Sequence, residues 1–151
     1  MLIWVDADAC PSEAKEVLFR AVRRIGIPLT LVANQPMNYP RSDYIRFELA
    51  KWGADAADKR IVELMEAEDL VVTADIPLAA DVIAKGGFVI DPRGELLDND
   101  NIGSRLVTRN FLEEFRAAGM QTGGPAPYSP KDKQNFANAL DKLLTRLLRM
   151  P

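Results

Sequence analysis

The acids of this chain gather at three places with a shared local grammar. Val5-Asp6-Ala7-Asp8-Ala9-Cys10-Pro11 ends an apolar run in two carboxylates one residue apart. Val71-Val72-Thr73-Ala74-Asp75 ends another apolar run in a hydroxyl and a carboxylate. Between them, Gly53-Ala54-Asp55-Ala56-Ala57-Asp58 puts two acids at the start of an amphipathic stretch. Crowded carboxylates repel and raise one another's pKa unless a cation lies among them. Oxygen ligands without His or Cys favour Mg²⁺ or Mn²⁺. Such an ion polarises a phosphodiester and orients attacking water, and two ions would clamp both the attacking and the leaving oxygens. Asp6, Asp58 and Asp75 are therefore the candidate metal ligands, with Asp55 and Asp8 as further ones. Thr73 is placed to hydrogen-bond an aspartate or a water on the ion. Each acid also has a plainer use, since Asp55, Asp58 and Asp75 open helices, where carboxylates serve as caps or dipole partners. Asp6 caps nothing.

What the chain lacks narrows the chemistry further. It has no histidine and one cysteine, Cys10, among 151 residues. Ser-His-Asp and Cys-His catalysis, histidine zinc sites and intrachain disulfides are thereby excluded. Cys10 has no histidine to activate it and reads as a buried, unreactive thiol. The net charge of −3 argues against sequence-blind duplex binding through a broad basic surface. Arg20, Arg23, Arg24, Lys142, Arg146 and Arg149 read as solvated helix faces. Pro92-Arg93-Gly94 and Gly123-Gly124-Pro125 are turn chemistry, and no glycine set matches a P-loop. No apolar run approaches the roughly 20 residues of a membrane span. The N-terminus has no basic stretch before its apolar residues, so it predicts a first strand and a cytoplasmic protein.

The elements that must position these acids alternate. Residues 2–6 predict a buried strand, and Ser12 caps a helix to Ile25, with Ala14, Val17, Leu18, Ala21 and Val22 inward and Gly26 as the stop. Leu29–Ala33 is a second strand, residues 34–42 a loop, and Tyr44–Leu49 a third strand. A helix runs from Asp55 to Ala67 with Ala57, Ile61, Leu64 and Met65 inward, followed by a strand at Leu70–Thr73. Asp75 caps a helix to Lys85 with Pro77 in its first turn, and Phe88–Ile90 is another strand. A helix over Asn101–Ala118 carries Val107, Phe111, Phe115 and Ala118 on one face. A Gly/Pro-rich loop follows, and Ser129–Asp132 is a capping box opening a last helix whose inward face is Phe136, Leu140, Leu143, Leu144 and Leu147. Those leucines serve the core or a dimer seam. Strand–helix alternation predicts one α/β domain over residues 1–151, a three-layer α/β/α sandwich with a mostly parallel sheet. Ligands of such sheets lie beyond the carboxyl ends of the strands, where the acids are.

The motif at residues 5–11, Ala57-Asp58, Val72-Thr73-Ala74-Asp75-Ile76-Pro77-Leu78-Ala79, and Arg93-Gly94 followed by Asn101-Ile102 resemble the YaiI/YqxD family. Arg109, Arg116-Ala-Ala-Gly119 and Gly124-Pro125 extend the resemblance along essentially the whole chain. That family is described as uncharacterised and is similar to the PIN-like nuclease superfamily, whose acids at strand ends hold Mg²⁺ or Mn²⁺ and hydrolyse RNA or DNA. The resemblance implies a PIN-like domain in which Asp6 is the first-strand acid, Thr73 and Asp75 the hydroxyl-x-acid pair, and Asp58 the mid-chain acid, with Asp55 its competitor. Asp8 is an added acid, and Asp91 and Asp81 are the candidates for a fourth. The expected activity is a metal-dependent nuclease, RNA before DNA, with Arg105 or Arg109 meeting phosphate; a homodimer is compatible with it. Asp6-x-Asp8 also resembles the haloacid-dehalogenase phosphatases, where Asp6 would be the nucleophile and Asp8 the acid/base. A third alternative is a nuclease-like fold that binds RNA or protein without catalysis.

Overall fold

The computed structural model describes residues 1–53, 55–121, 123–124 and 126–149. Its strands are β1 (Ile3–Asp6), β2 (Leu29–Ala33), β3 (Ile45–Leu49), β4 (Leu70–Val72), β5 (Phe88–Ile90) and β6 (Leu96–Leu97). Its helices are α1 (Ser12–Ile25), α2 (Ala56–Leu64), α3 (Ile76–Ala84), α4 (Ile102–Ala117) and α5 (Pro130–Arg149). The sheet runs β3-β2-β1-β4-β5-β6, parallel except for β6, which pairs antiparallel with β5.

Strands buried on both faces need helices on both faces, and the side-chain alternation shows which helices cover which face. Ile3, Val5, Leu29, Leu31, Leu70 and Val72 pack with the inward stripes of α1 (Ala14, Leu18, Val22) and α5 (Phe136, Leu140, Leu144). Trp4, Val32, Val71 and Val89 point the other way, onto α2 (Ala57, Ile61) and α3 (Leu78, Ala79, Val82). The expected three layers are thus present.

Several expected boundaries shift, each for a local reason. The N-cap position of α1 is Pro11, without a side-chain bond, and Ser12 is already helical. Helix α2 stops at Leu64, short of Ala67, because the chain must turn back into β4. There Glu66 N donates to the Asp69 carboxylate at 2.9 Å, and Glu68 N donates to Gly86 O at 2.9 Å with Glu68 at φ 72°. The capping box of α5 forms as expected: Asp132 N donates to Ser129 Oγ, and Ser129 N donates to Asp132 Oδ2. Of the inward face expected for α5, Phe136, Leu140, Leu143 and Leu144 are core and Leu147 is half-buried against it.

Helix α4 forms close to its expected bounds, and the structure adds where its apolar stripe lies. Its apolar stripe does not face the core: Val107 is 70% and Phe111 55% exposed, and Phe111 packs on Phe115 with ring centroids 4.7 Å apart. The helix lies against α3, outside the sandwich, and Ile102 alone of its residues packs on the α2/α3 core. Periodicity reveals that a helix is amphipathic; it does not say which layer the apolar side will meet.

The turn into β6 rests on Gly94, at φ 94°. A Cβ there would stand 2.7 Å from Asn135 O in α5. Gly94→Ala should therefore cost about 2–4 kcal/mol from backbone strain and overpacking. Urea unfolding checks this, and a loss under about 0.5 kcal/mol, the usual spread for a neutral surface change, would contradict it.

Candidate active site at the switch point of the sheet

Chain order places the site. From β1 the chain winds outward through β2 to β3, then returns to β4 on the other side of β1 and proceeds to β5. The crevice above β1 and β4 is thus a topological switch point, where sheets of this kind bind ligands. Side-chain alternation then aims the groups. Asp6 follows Trp4 by two residues and Thr73 follows Val71 by two, so both lie on the α2/α3 side of the carboxyl edge. Helix α2 brings Asp58 to this place in its first turn, and Asp75 stands at the N-cap of α3.

Hydrogen bonds join two of these segments. Thr73 Oγ1 donates to Asp6 Oδ2 at 3.0 Å and accepts from Asp75 N at 3.0 Å. Asp75 Oδ1 in turn accepts from Leu78 N at 3.0 Å, so the capping role and the site role coexist in one carboxylate. Asp6 is buried, and burial pushes its pKa up; the Thr73 hydroxyl opposes this, while the Asp75 and Asp8 charges add to it. Asp58 is pushed up to about 7, first by burial, then by the charges of Asp75 and Asp6 and by a hydrogen bond with Asp75. Near neutral pH a proton therefore sits among these carboxylates.

A groove of about 540 Å³ opens beside them, lined in part by Asp55, Asp58, Asp75, Asp81 and Arg109. Asp55 is exposed, makes no capping bond and pairs with Lys59 at 3.3 Å. Asp8 turns elsewhere: its Oδ2 accepts from Asn34 N at 2.6 Å, bracing the loop after β1 to the end of β2. Asp91 accepts from Arg93 N and Glu95 N, both at 2.9 Å, and belongs to the turn before β6, so Asp81 and not Asp91 reaches the groove. Arg109 pairs with Glu113 at 3.0 Å, and Arg105 pairs with Glu95. The Cys10 thiol is buried and pushed up to about 12, chiefly by that burial, so it stays protonated.

Among the described residues no group of three or more acids or thiols is close enough to enclose a metal ion. Asp75 and Asp6 both act on Asp58, Asp75 the more strongly. In kind the donors fit a hard divalent cation: all are carboxylate oxygens, and a pair that holds a proton between like charges can hold a cation in its place. In number they fit Mg²⁺ or Mn²⁺ better than a caged ion, because Mg²⁺ is commonly held by one or two carboxylates plus waters and substrate phosphate.

Asp69 and Trp52 have no role assigned from the sequence, and Arg116 enters there only through the family resemblance. Asp69 is buried at the opposite edge of the sheet, where its carboxylate accepts from Leu2 N, Trp4 Nε1 and Glu66 N. Trp52, after β3, is 90% exposed. Arg116 joins Arg105 and Arg109 around a smaller hollow on α4. The available signal for Trp52 was an aromatic set between Lys51 and Gly53 in a polar loop; Asp69 gave none, since its donors are remote in sequence.

The raised Asp58 pKa makes stability depend on pH. An acid with a folded pKa above its unfolded value stabilises the fold below the unfolded pKa, and that contribution is lost as pH rises through the folded value. For Asp58 the window runs from 3.8 to about 7, and Asp6 shifts in the same direction. The metal-free protein should thus be less stable at pH 8 than at pH 5 by about 1–2 kcal/mol after discounting for solvent screening. Asp58→Asn should remove much of the difference; thermal melts at both pH values measure it, and equal slopes in the two proteins would contradict it.

Among the described residues no helix is long and apolar enough to cross a membrane. No solved structure matches the chain. A UPF0178 protein of Syntrophotalea carbinolica is 57% identical over 146 residues, covering 97% of this chain and 99% of its own. One from Thioalkalivibrio sulfidiphilus is 56% identical over the same length, and one from Saccharophagus degradans is 56% identical over 149 residues, 99% of each chain. The model of the uncharacterised YaiI/YqxD family matches residues 4–146, the span that carries both strand-end acids, the α2 acid and the groove. With whole-length relatives above half identity and a family match of that extent, the chain belongs to the YaiI/YqxD family.

Proposed function

We propose that the groove at the switch point is the active site of a Mg²⁺- or Mn²⁺-dependent phosphodiesterase acting on nucleic acid, RNA in preference to DNA. One observation carries this reading. Burial first, and then the charges of Asp75 at the β4–α3 junction and Asp6 on β1, both distant in sequence, push the Asp58 carboxyl on α2 up to about 7 at the wall of a groove. Perturbed acids in a cleft mark functional sites more often than chance, and Asp58 and Asp75 both line the groove. The likeness to PIN-like nucleases supports the same assignment.

Asp58 and Asp75 would hold the ion, with Asp6 behind them; when bound, it supplies polarisation of the phosphoryl oxygen and activation of water, replacing a histidine base. The chain's own residues do the rest. Asp58 would have to give up its proton to solvent before its carboxylate could serve as a ligand. Thr73 fixes the orientation of Asp6 and so ties the ends of β1 and β4 together, while the bond it accepts from Asp75 N shapes the turn into α3. Arg109, at the groove, can exchange its exposed partner Glu113 for a phosphate, since exposed ion pairs are weak. The phosphatase alternative gains less support, because Asp8 is engaged with Asn34 N and not directed with Asp6.

The test is cleavage of an end-labelled oligoribonucleotide with and without Mn²⁺, by wild type and Asp6→Asn. Mn²⁺-dependent cleavage lost in the variant supports the reading. Hydrolysis of 4-nitrophenyl phosphate in place of the diester would shift it to a phosphatase.

A further inference from the structure

We infer that Trp52 is a base-stacking platform, which makes the substrate of this site a single-stranded nucleic acid; the inference rests on the nucleic-acid reading above. An indole is among the largest apolar surfaces a chain can hide, and Trp4, the other tryptophan, is hidden in the core. Trp52 is 90% exposed, the most open of the large hydrophobic residues described. It follows β3 at the carboxyl edge of the parallel strands, the edge that carries Asp6 and Asp75. Asp55, which lines the acid groove, is three residues further on, so the two Cα atoms lie within about 11 Å. Lys51 and Gly53 flank the indole, with Gly53 at φ 104°.

Arginines of α4 also reach this region, Arg105 paired with Glu95 and Arg109 with Glu113 in ion pairs that a phosphate can replace. Arg105, Arg109 and Arg116 surround a hollow of about 180 Å³ on α4, and Arg109 also lines the acid groove. Their positions cover about 16 Å of helix, enough to follow a phosphate backbone over more than one nucleotide. A strand lying across the acids would thus meet arginines with its phosphates and the indole with a base. Only an unpaired base can do this: a duplex hides its base faces in the stack, and the net charge of −3 provides no broad phosphate footprint to hold one.

The experiment is a fluorescence titration without divalent ions, using an oligouridylate of about ten nucleotides and a duplex of equal length. Trp4 is buried and donates Nε1 to Asp69, so quenching of the red, solvent-exposed emission reports Trp52. Trp52→Ala should weaken single-strand binding by roughly 5- to 150-fold, and Trp52→Phe should restore most of it. The single strand should quench and the duplex should not. No quenching by the single strand, equal quenching by the duplex, or unchanged affinity in Trp52→Ala would overturn the inference and return Trp52 to a protein contact. Hydrolysis of bis(4-nitrophenyl) phosphate by wild type with Mn²⁺ separates the two levels, because that diester has no base. Hydrolysis with an unresponsive Trp52 sinks the stacking role alone. Quenching without hydrolysis keeps Trp52 as a binding element and sinks the nuclease reading.

Discussion

Asp75→Asn should abolish saturable Mn²⁺ binding and lower Mn²⁺-dependent cleavage by about 10²–10³-fold, the range seen when one preorganised electrostatic group is removed from an active site. The substitution is chosen because it separates two roles of one side chain. Asp75 Oδ1 accepts from Leu78 N, and asparagine caps a helix as well as aspartate does, so the start of α3 should survive. What disappears is the charge. Asp75 is the largest charge acting on Asp58, so its loss should also bring the Asp58 pKa down from about 7, toward the ordinary carboxylate range. In wild type, Mn²⁺ must displace the Asp58 proton, so affinity should fall about tenfold per pH unit below 7 and level off above it. Calorimetric titrations between pH 5.5 and 8 measure both effects. Unaltered Mn²⁺ binding in Asp75→Asn would show that the acids serve the fold alone.

Asp69→Ala should produce the opposite pattern: a stability loss of about 3–5 kcal/mol with the Mn²⁺ affinity of the remaining folded protein unchanged. Asp69 is buried and accepts three hydrogen bonds, from Leu2 N at 2.9 Å, Trp4 Nε1 at 3.0 Å and Glu66 N at 2.9 Å. Alanine would strand the indole N–H in the core and release the turn that ends α2. Asn would be milder but still damaging, since both carboxylate oxygens accept and an amide has one oxygen to offer. Chemical denaturation with parallel calorimetry distinguishes the two acids. A small loss for Asp69→Ala would mean that water or rearrangement satisfies these donors.

Asp69 and Asp75 show where reading a sequence succeeds and where it stops. Both are aspartates beside the same strand, β4. Asp75 follows a buried run and precedes Ile76-Pro77, so local rules identify it as a cap and strand order makes it a site candidate. Asp69 precedes the run and has no local signal, because Leu2 and Trp4 lie more than sixty positions away. Asp8 shows the converse. It sits one residue from Asp6's neighbour in an acidic motif, yet the β1–α1 loop turns it toward Asn34. Spacing along the chain brought the two acids together on paper; the loop's path set them to different tasks.

All elements but the antiparallel β6, and the parallel sheet they form, follow from the sequence alone, because apolar period, capping residues and strand–helix alternation act over a few neighbours. With them comes the edge of the sheet where the acids lie. The tertiary structure decided which acids meet. Placing β4 directly against β1 brings Thr73 to Asp6 across 67 positions, and packing α2 beside that edge buries Asp58 near the charges of Asp75 and Asp6, which raises its pKa. It also decided that the apolar stripe of α4 stays in water while its arginines approach the groove. Electrostatic and packing energies depend on distance and burial in space, and neither is encoded by separation along the chain.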